Sequence, residues 1–180
     1  MDSGVLAGQD RTEGAPPAGD GARWALRPAT GADLEPLVEL RAVVLRADLE
    51  RLGRYDAHRV RQRLRDTFSA QYTSIVDVDG ELAGSVTVRP GDEGLLLEHF
   101  YLAPRHQGRG LGSAVLREVL GRADAQGAVV RLNVLQGSAA RRLYERHGFG
   151  LEREDPVDVF MVRQPAPAEG PSAGGRPATV

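Results

Sequence analysis

The sequence predicts one mixed α/β domain, and three observations carry that prediction. Apolar residues recur at helical spacing in two early segments, alternate like strands through the middle, and regain helical spacing after a glycine-rich turn. From there strand and helix succeed one another, the order needed when a helix connects neighbouring parallel strands. Both ends are poor in large apolar side chains and rich in Gly, Ala and Pro, so residues 1–22 and 164–180 read as flexible tails around a domain at residues 23–163.

The domain opens on the alternating strand Trp24-Ala25-Leu26-Arg27, ended by Pro28 and Gly31. Thr30 or Asp33 caps the next helix, whose apolar face is Leu34, Leu37, Val38, Val44 and Leu45, with Glu35, Glu39 and Arg41 expected outside it. A second helix is expected over residues 57–69, with Val60, Leu64 and Phe68 in line and Arg59, Arg61, Arg63 and Arg65 around them. Residues 72–79 and 82–89 read as a hairpin turning at Asp79-Gly80. Pro90-Gly91-Asp92 makes the following turn into a third strand at residues 94–102. Leu111, Val115, Leu116, Val119 and Leu120 give a helix over residues 111–125 its inward face, and Gly127 stops it. A strand at residues 129–135, a short helix at 138–147 and one or two strands within 151–163 complete the order.

Composition narrows the function. The chain has 180 residues, is 41% hydrophobic and carries a formal charge of -2, enough for a core and no general attraction to nucleic acid. Cysteine is absent, which excludes disulfides, thiolate metal sites and cysteine nucleophiles and is compatible with a reducing cytoplasm. No run is apolar and long enough to span a bilayer, and the acidic N-terminal segment does not read as a secretion signal, so a cytoplasmic protein off the membrane is expected. His58, His99, His106 and His147 share no compact ligand motif, so no metal is expected.

The stretch Leu95–Val115 carries most of the chemistry. An apolar strand ends at Ala103-Pro104, and Gln107-Gly108-Arg109-Gly110-Leu111-Gly112 leads into a helix. The glycines leave backbone amides uncovered beside the unpaired donors of a first helical turn, a volume that suits a phosphate or diphosphate. The spacing is not that of a dinucleotide fingerprint, and no lysine follows, which excludes a Walker-type loop.

Leu102-Ala103-Pro104-x-x-Gln107-Gly108-Arg109-Gly110-Leu111-Gly112 resembles the acetyl-CoA diphosphate motif of the GCN5-related N-acetyltransferase superfamily. Ala140-Arg141-Arg142-Leu143-Tyr144-Glu145-Arg146-His147-Gly148-Phe149 resembles that superfamily's AxxLYxxxGF segment, and the inferred element order matches as well. One departure stands at the start of the second motif, where Gly137-Ser138 replaces the usual asparagine; Ser138 can cap the helix in its place. The resemblance implies a mixed, mostly antiparallel sheet of six to seven strands, flanked by about four helices and splayed at the cofactor site. It also implies acetyl-CoA as cosubstrate, with Phe100, Tyr101 and Leu102 along the pantetheine arm. The diphosphate would then rest on the amides from Gln107 through Gly108, Arg109, Gly110, Leu111 and Gly112 to Ser113. A bulky residue at Gly110 or Gly112 is expected to harm binding more than folding.

N-acetyl transfer needs an unprotonated amine, a donor for the developing oxyanion and a proton for the leaving thiolate. The resemblance gives the oxyanion to the amide at or near Leu102 and the proton to Tyr144. Glu98 is the expected base, directly or through a water, because a carboxylate in so apolar a strand demands an explanation. Regular alternation sets Glu98 on one face with Phe100 and Leu102 and turns His99 to the other. The resemblance implies that the acceptor is a primary amine of a small molecule or peptide. Arg51, Arg54, Tyr55, His58, Arg59 and Arg63 offer either a wall for an acceptor bearing a carboxylate or phosphate, or a solvated charged face. A non-catalytic acyl-CoA sensor of the same fold is the alternative. Val157, Val159, Phe160 and Val162 in the last strands, with one edge uncovered, suggest a homodimer.

Overall fold

Asp79 and Gly80 both take positive φ, +52° and +87°, the backbone of a two-residue turn whose twist suits a hairpin. The strands that it joins are residues Thr73–Val78 (β2) and Glu81–Gly91 (β3) of a computed structural model that describes residues 23–167. Residues 1–22 and most of the expected C-terminal tail lie outside the described residues. Trp24–Pro28 (β1) pairs with β2, and Gly94–Leu102 (β4) pairs with β3. Val130–Leu135 (β5), Gly150–Glu154 (β6) and Asp158–Arg163 (β7) complete a seven-stranded sheet of order β1-β2-β3-β4-β5-β7-β6. Every neighbouring pair is antiparallel except β4 with β5.

Leu34–Arg51 (α1) and Ala57–Thr67 (α2) cover one face, and Leu111–Ala125 (α3) and Ala140–Arg146 (α4) the other. Strand alternation divides the core accordingly. Ile75 packs with Leu37, Val38 and Leu64, whereas its neighbour Val76 joins Val115, Leu116, Leu132, Tyr144 and Met161. The expected α/β class, strand number and helix number are therefore met.

Three local expectations differ. The turn expected at Pro90 lies instead at Asp92-Glu93: β3 runs through Gly91, with Pro90 opposite Leu95. Proline is tolerated there because β2 pairs with β3 only as far as Thr87, so no ladder bond needs the missing N–H. Gly94, at φ +116°, follows that turn, and a Cβ there would stand 2.4 Å from the Val129 carbonyl oxygen. Arg41, expected outside, is buried, because it follows Leu37 by four residues and so shares the apolar face of α1. Ser138 accepts from the Ala140 amide at 3.3 Å, although the helix proper begins only at Ala140.

Charged pairs fasten the periphery. Arg163 of β7 donates both terminal nitrogens to Asp124 of α3 at 2.6 and 2.9 Å, and the Ala166 amide joins the same carboxylate. Asp33 accepts two hydrogen bonds from Arg27 and one from the Thr30 amide. Arg27 chiefly holds its pKa down, to about 2. A depressed carboxylate stabilises the fold above its unfolded pKa, near 4, and that stability is lost as pH falls toward 2. The shift corresponds to about 2 kcal/mol, reduced toward about 1 because Arg27 is 40% exposed. Urea denaturation should therefore find Asp33→Asn less stable by that amount at pH 7, with the gap narrowing at pH 3. An unchanged midpoint at pH 7 would remove this assignment.

Candidate active site

β4 and β5 pair only at Leu95–Val130 and Leu96–Arg131, and beyond these pairs the two strands separate. The expected splay is thus present, with the second half of β4 lining the opening. β4 also carries a bulge that the sequence does not announce. Tyr101 opposes Ser85 but Glu98 opposes Thr87, so β4 has one residue more than β3 between them, and His99 takes φ +50°. Ser85 Oγ donates to the His99 carbonyl at 2.8 Å and holds the bulge.

The extra residue changes which way the backbone points. Before the bulge the Leu95 amide donates toward β5, to the Val129 carbonyl; after it the Ala103 amide donates toward β3, to Ala83. Residues 95 and 103 would share an edge in a regular strand. The bulge therefore turns the amides of Phe100 and Leu102 into the opening. The side chains shift too, which corrects the alternation expected from sequence. Phe100 and Leu102 pack toward α3 and α4, while Glu98, His99 and Tyr101 lie on the side of α1 and α2.

His99 sits in a directed chain of hydrogen bonds. Arg41 Nε donates to the Tyr101 hydroxyl (3.0 Å), which donates to His99 Nδ1 (3.2 Å). His99 Nε2–H donates to Thr67 Oγ1 (3.1 Å), whose proton goes to the Arg63 carbonyl (2.7 Å). Arginine can only donate and a carbonyl can only accept, so the ends fix the direction and the His99 tautomer. Burial chiefly, then Arg41, Arg63 and Arg89, lowers the His99 pKa against the pull of Glu98, and keeps the ring neutral. With its Nδ1 lone pair engaged by Tyr101, His99 positions the bulge against α2. Sequence reasoning missed Arg41, and the signal was its place on the apolar stripe of α1.

Glu98 lies beside this chain, its Oε1 3.9 Å from His99 Nε2. Arg89 Nε donates to Oε1 at 2.6 Å and Nη2 to Oε2 at 3.4 Å, so Oε2 is the more lightly held oxygen. Across the opening, the buried Tyr144 ring lies 6.5 Å from Phe100 and edge-on to Phe149 at 5.7 Å. Its hydroxyl makes no hydrogen bond among the described residues. Burial raises its pKa, which keeps the proton on.

At the end of β4, Gly108 and Gly110 take φ +73° and +82°, and α3 starts without a side-chain cap. The first ladder bond is Ala114 to the Gly110 carbonyl, and the amides of Gly108, Arg109, Gly110, Leu111, Gly112 and Ser113 are open among the described residues. Gln107 differs from its neighbours: its amide bonds to Pro104 and its side chain to the Leu102 carbonyl at 2.8 Å. Gly112 also serves packing, since a Cβ there would meet Leu143 and Leu102 at 3.4 and 3.5 Å.

Of the expected acceptor wall, His58, Arg59 and Arg63 line an open cavity of about 450 Å³ on the exposed face of α2, which Thr67 also lines. Arg51 instead bonds to Asp48 and the Gln136 carbonyl, and Tyr55 lies under Arg46, 5.1 Å from its ring centre. Arg54 is exposed. Among the described residues, no group of acidic and histidine side chains could hold a metal ion, and no helix is long and apolar enough to cross a membrane.

A splayed sheet with inward amides, closed by an uncapped glycine turn, defines an acyl-CoA acyltransferase architecture. The acetyltransferase (GNAT) family matches residues 37–149, and the chain belongs to that family, whose general reaction is acetyl-CoA-dependent acyl transfer. Among solved structures, it is similar to the PaiA N-acetyltransferase of Thermoplasma acidophilum in complex with coenzyme A. That likeness has a TM-score of 0.65 at 21% identity, over 78% of this chain and 98% of that one. It is also similar to the ribosomal-protein-S18-alanine N-acetyltransferase of Escherichia coli (TM-score 0.62, 17% identity, 83% and 98% of the two chains). At such identities the likeness is one of fold. No curated protein matches the chain significantly.

Proposed function

We propose that this chain moves an acetyl group from acetyl-CoA to a primary amine of a small molecule or peptide, by direct attack. The observation that carries the reading is the β4 bulge, which turns the Phe100 and Leu102 amides into the opening beside Tyr144. The open amides from Gly108 to Ser113 fit a diphosphate, with Arg109 adding positive charge, and the free edge at Phe100, Tyr101 and Leu102 fits the pantetheine arm. Gln107 would release the Leu102 carbonyl as the arm pairs there.

The Leu102 amide donates to the thioester oxygen as it gains charge, a contribution of about 3 kcal/mol for one such donor. Glu98, through Oε2 or a bridging water, takes the proton of the attacking amine, and Tyr144 returns one to the CoA sulfur. The N–C bond forms as the C–S bond breaks, and free thiol reports each turnover. Glu98→Gln should lower kcat/KM about 100-fold and reduce the slope of the acid-side limb of its pH profile. A normal rate with an unchanged limb rejects Glu98 as base. Acetyl-CoA binding without thiol release for any amine would point to a sensor.

The reading includes work in a reducing cytoplasm, which the lack of cysteine fits, and a homodimer through the β6 edge, where Leu151 is 52% exposed. Its apolar neighbours are used internally: Val159 is buried, and Phe160 lies under the Arg153 guanidinium. Light scattering at tens of micromolar should give twice the chain mass, and the chain mass alone removes the dimer.

A further inference from the structure

The arginines of α2 divide into two sets. Arg61 and Arg65 reach back to α1 and bind Glu39 and Glu35 through paired hydrogen bonds of 2.8–2.9 Å. Arg59 and Arg63, one turn apart on another side of the helix, line the cavity, and no ion pair among the described residues includes either. The cavity's acids are already engaged. Asp56 caps the helix by accepting from the His58 and Arg59 amides, and Asp66 accepts from Gln62 at 2.7 Å. Two guanidinium forks thus share an open cavity on the exposed face of α2, with no carboxylate among the described residues bound to them.

The place of the cavity gives these forks a use. Thr67 lines the cavity and bonds to His99, the bulged residue that turns the neighbouring amides into the acyl site. Arg63 is close enough to help depress the His99 pKa. An acceptor in the cavity would therefore lie against the Glu98–His99 side of β4.

We propose that Arg59 and Arg63 bind the carboxylate of an amino-acid acceptor, whose amine extends past Thr67 toward Glu98. This rests on the acetyl-transfer reading above. Asp56 and Asp66, flanking the two arginines, favour a monoanion over a phosphate dianion and accommodate the ammonium of a zwitterion as it enters. Polyamines and aminoglycosides would bring positive charge against unpaired guanidinium groups.

The test compares each standard L-amino acid with the amine lacking only its carboxylate, for example phenylalanine with phenethylamine and lysine with cadaverine. Binding to the full chain is read by calorimetry with CoA present, and turnover by thiol release. At least one amino acid should exceed its amine by about 100-fold in kcat/KM, the order expected of a carboxylate held by paired charges. Arg59→Gln and Arg63→Gln should each raise the amino-acid KM about 10-fold with little change in kcat or acetyl-CoA affinity. Arg61→Gln, which removes the same charge outside the cavity, should leave that KM unchanged. Equal use of the paired amines, or unchanged KM in both cavity variants, overturns the proposal. So does failure of every amino acid to bind. Amino-acid binding that Arg63→Gln abolishes, without thiol release, upholds the carboxylate site and rejects acetyl transfer instead.

Discussion

Gly110→Asp should weaken acetyl-CoA binding about 100-fold, near 2.7 kcal/mol, while leaving a folded protein. Gly110 sits at φ +82°, where aspartate and asparagine are the best-tolerated replacements, and a Cβ there would meet nothing within 4 Å. The conformational cost to folding is therefore about 1–2 kcal/mol, visible as a modest drop in Tm. The new carboxylate would stand among the open amides at Gly108–Ser113, bind them as an internal anion and repel the diphosphate. Gly110→Asn separates shape from charge: it makes the same backbone demand, and its loss should stay under about 10-fold. Salt should narrow the difference between the two variants. Calorimetry giving wild-type affinity to a folded aspartate variant would reject this turn as the diphosphate site. Gly112 is a poorer probe, since a Cβ there already reaches contact with Leu143 and Leu102, so a larger side chain mixes packing with binding.

Tyr144→Phe should lower kcat about 100-fold, the lower range for loss of a general acid, with acetyl-CoA affinity and Tm unchanged. The stability half of that expectation follows from the hydroxyl's surroundings. Because it has no hydrogen-bond partner among the described residues, its removal strands no buried donor or acceptor. The ring keeps its contacts with Phe100 and Phe149. Loss of turnover would then report chemistry alone. Wild-type turnover across the pH range would remove Tyr144 from the mechanism and give the leaving thiolate its proton from water.

Legibility in the sequence followed the physics of each feature. The glycine turn, the Asp79-Gly80 hairpin and the helix faces were readable because each rests on local conformation or local periodicity. The β4 bulge was not, because His99 adopts positive φ without being glycine. What holds it, the Ser85 hydroxyl and the chain through Tyr101, Arg41 and Thr67, comes from distant parts of the sequence. The faces assigned to Glu98 and His99 depended on regular alternation and changed with that one residue. Arg41 is a different case: its charge suggests the solvent side, while its position four residues after Leu37 puts it on the apolar stripe. The two uses of the α2 arginines were hidden because Glu35 and Glu39 lie on another helix.

The sheet is built as an open book. One leaf is β1 to β4, the other is β5, β7 and β6, and the spine is the pairing of Leu95 and Leu96 with Val130 and Arg131. Along the rest of the fold line no backbone ladder among the described residues ties the leaves; α3, the Arg163–Asp124 clasp, the Arg131 bond to Glu93 and the Arg51 bond to Gln136 do so from outside. A molecule lying in that fold line and pairing with the free edge of β4 supplies the rungs that the chain lacks. Its arrival would therefore join the leaves mechanically, making the reactant a strut for as long as it stays. The consequence is measurable as slowed hydrogen exchange at Phe100 and Leu102, and as unfolding that becomes more cooperative when the cosubstrate is bound.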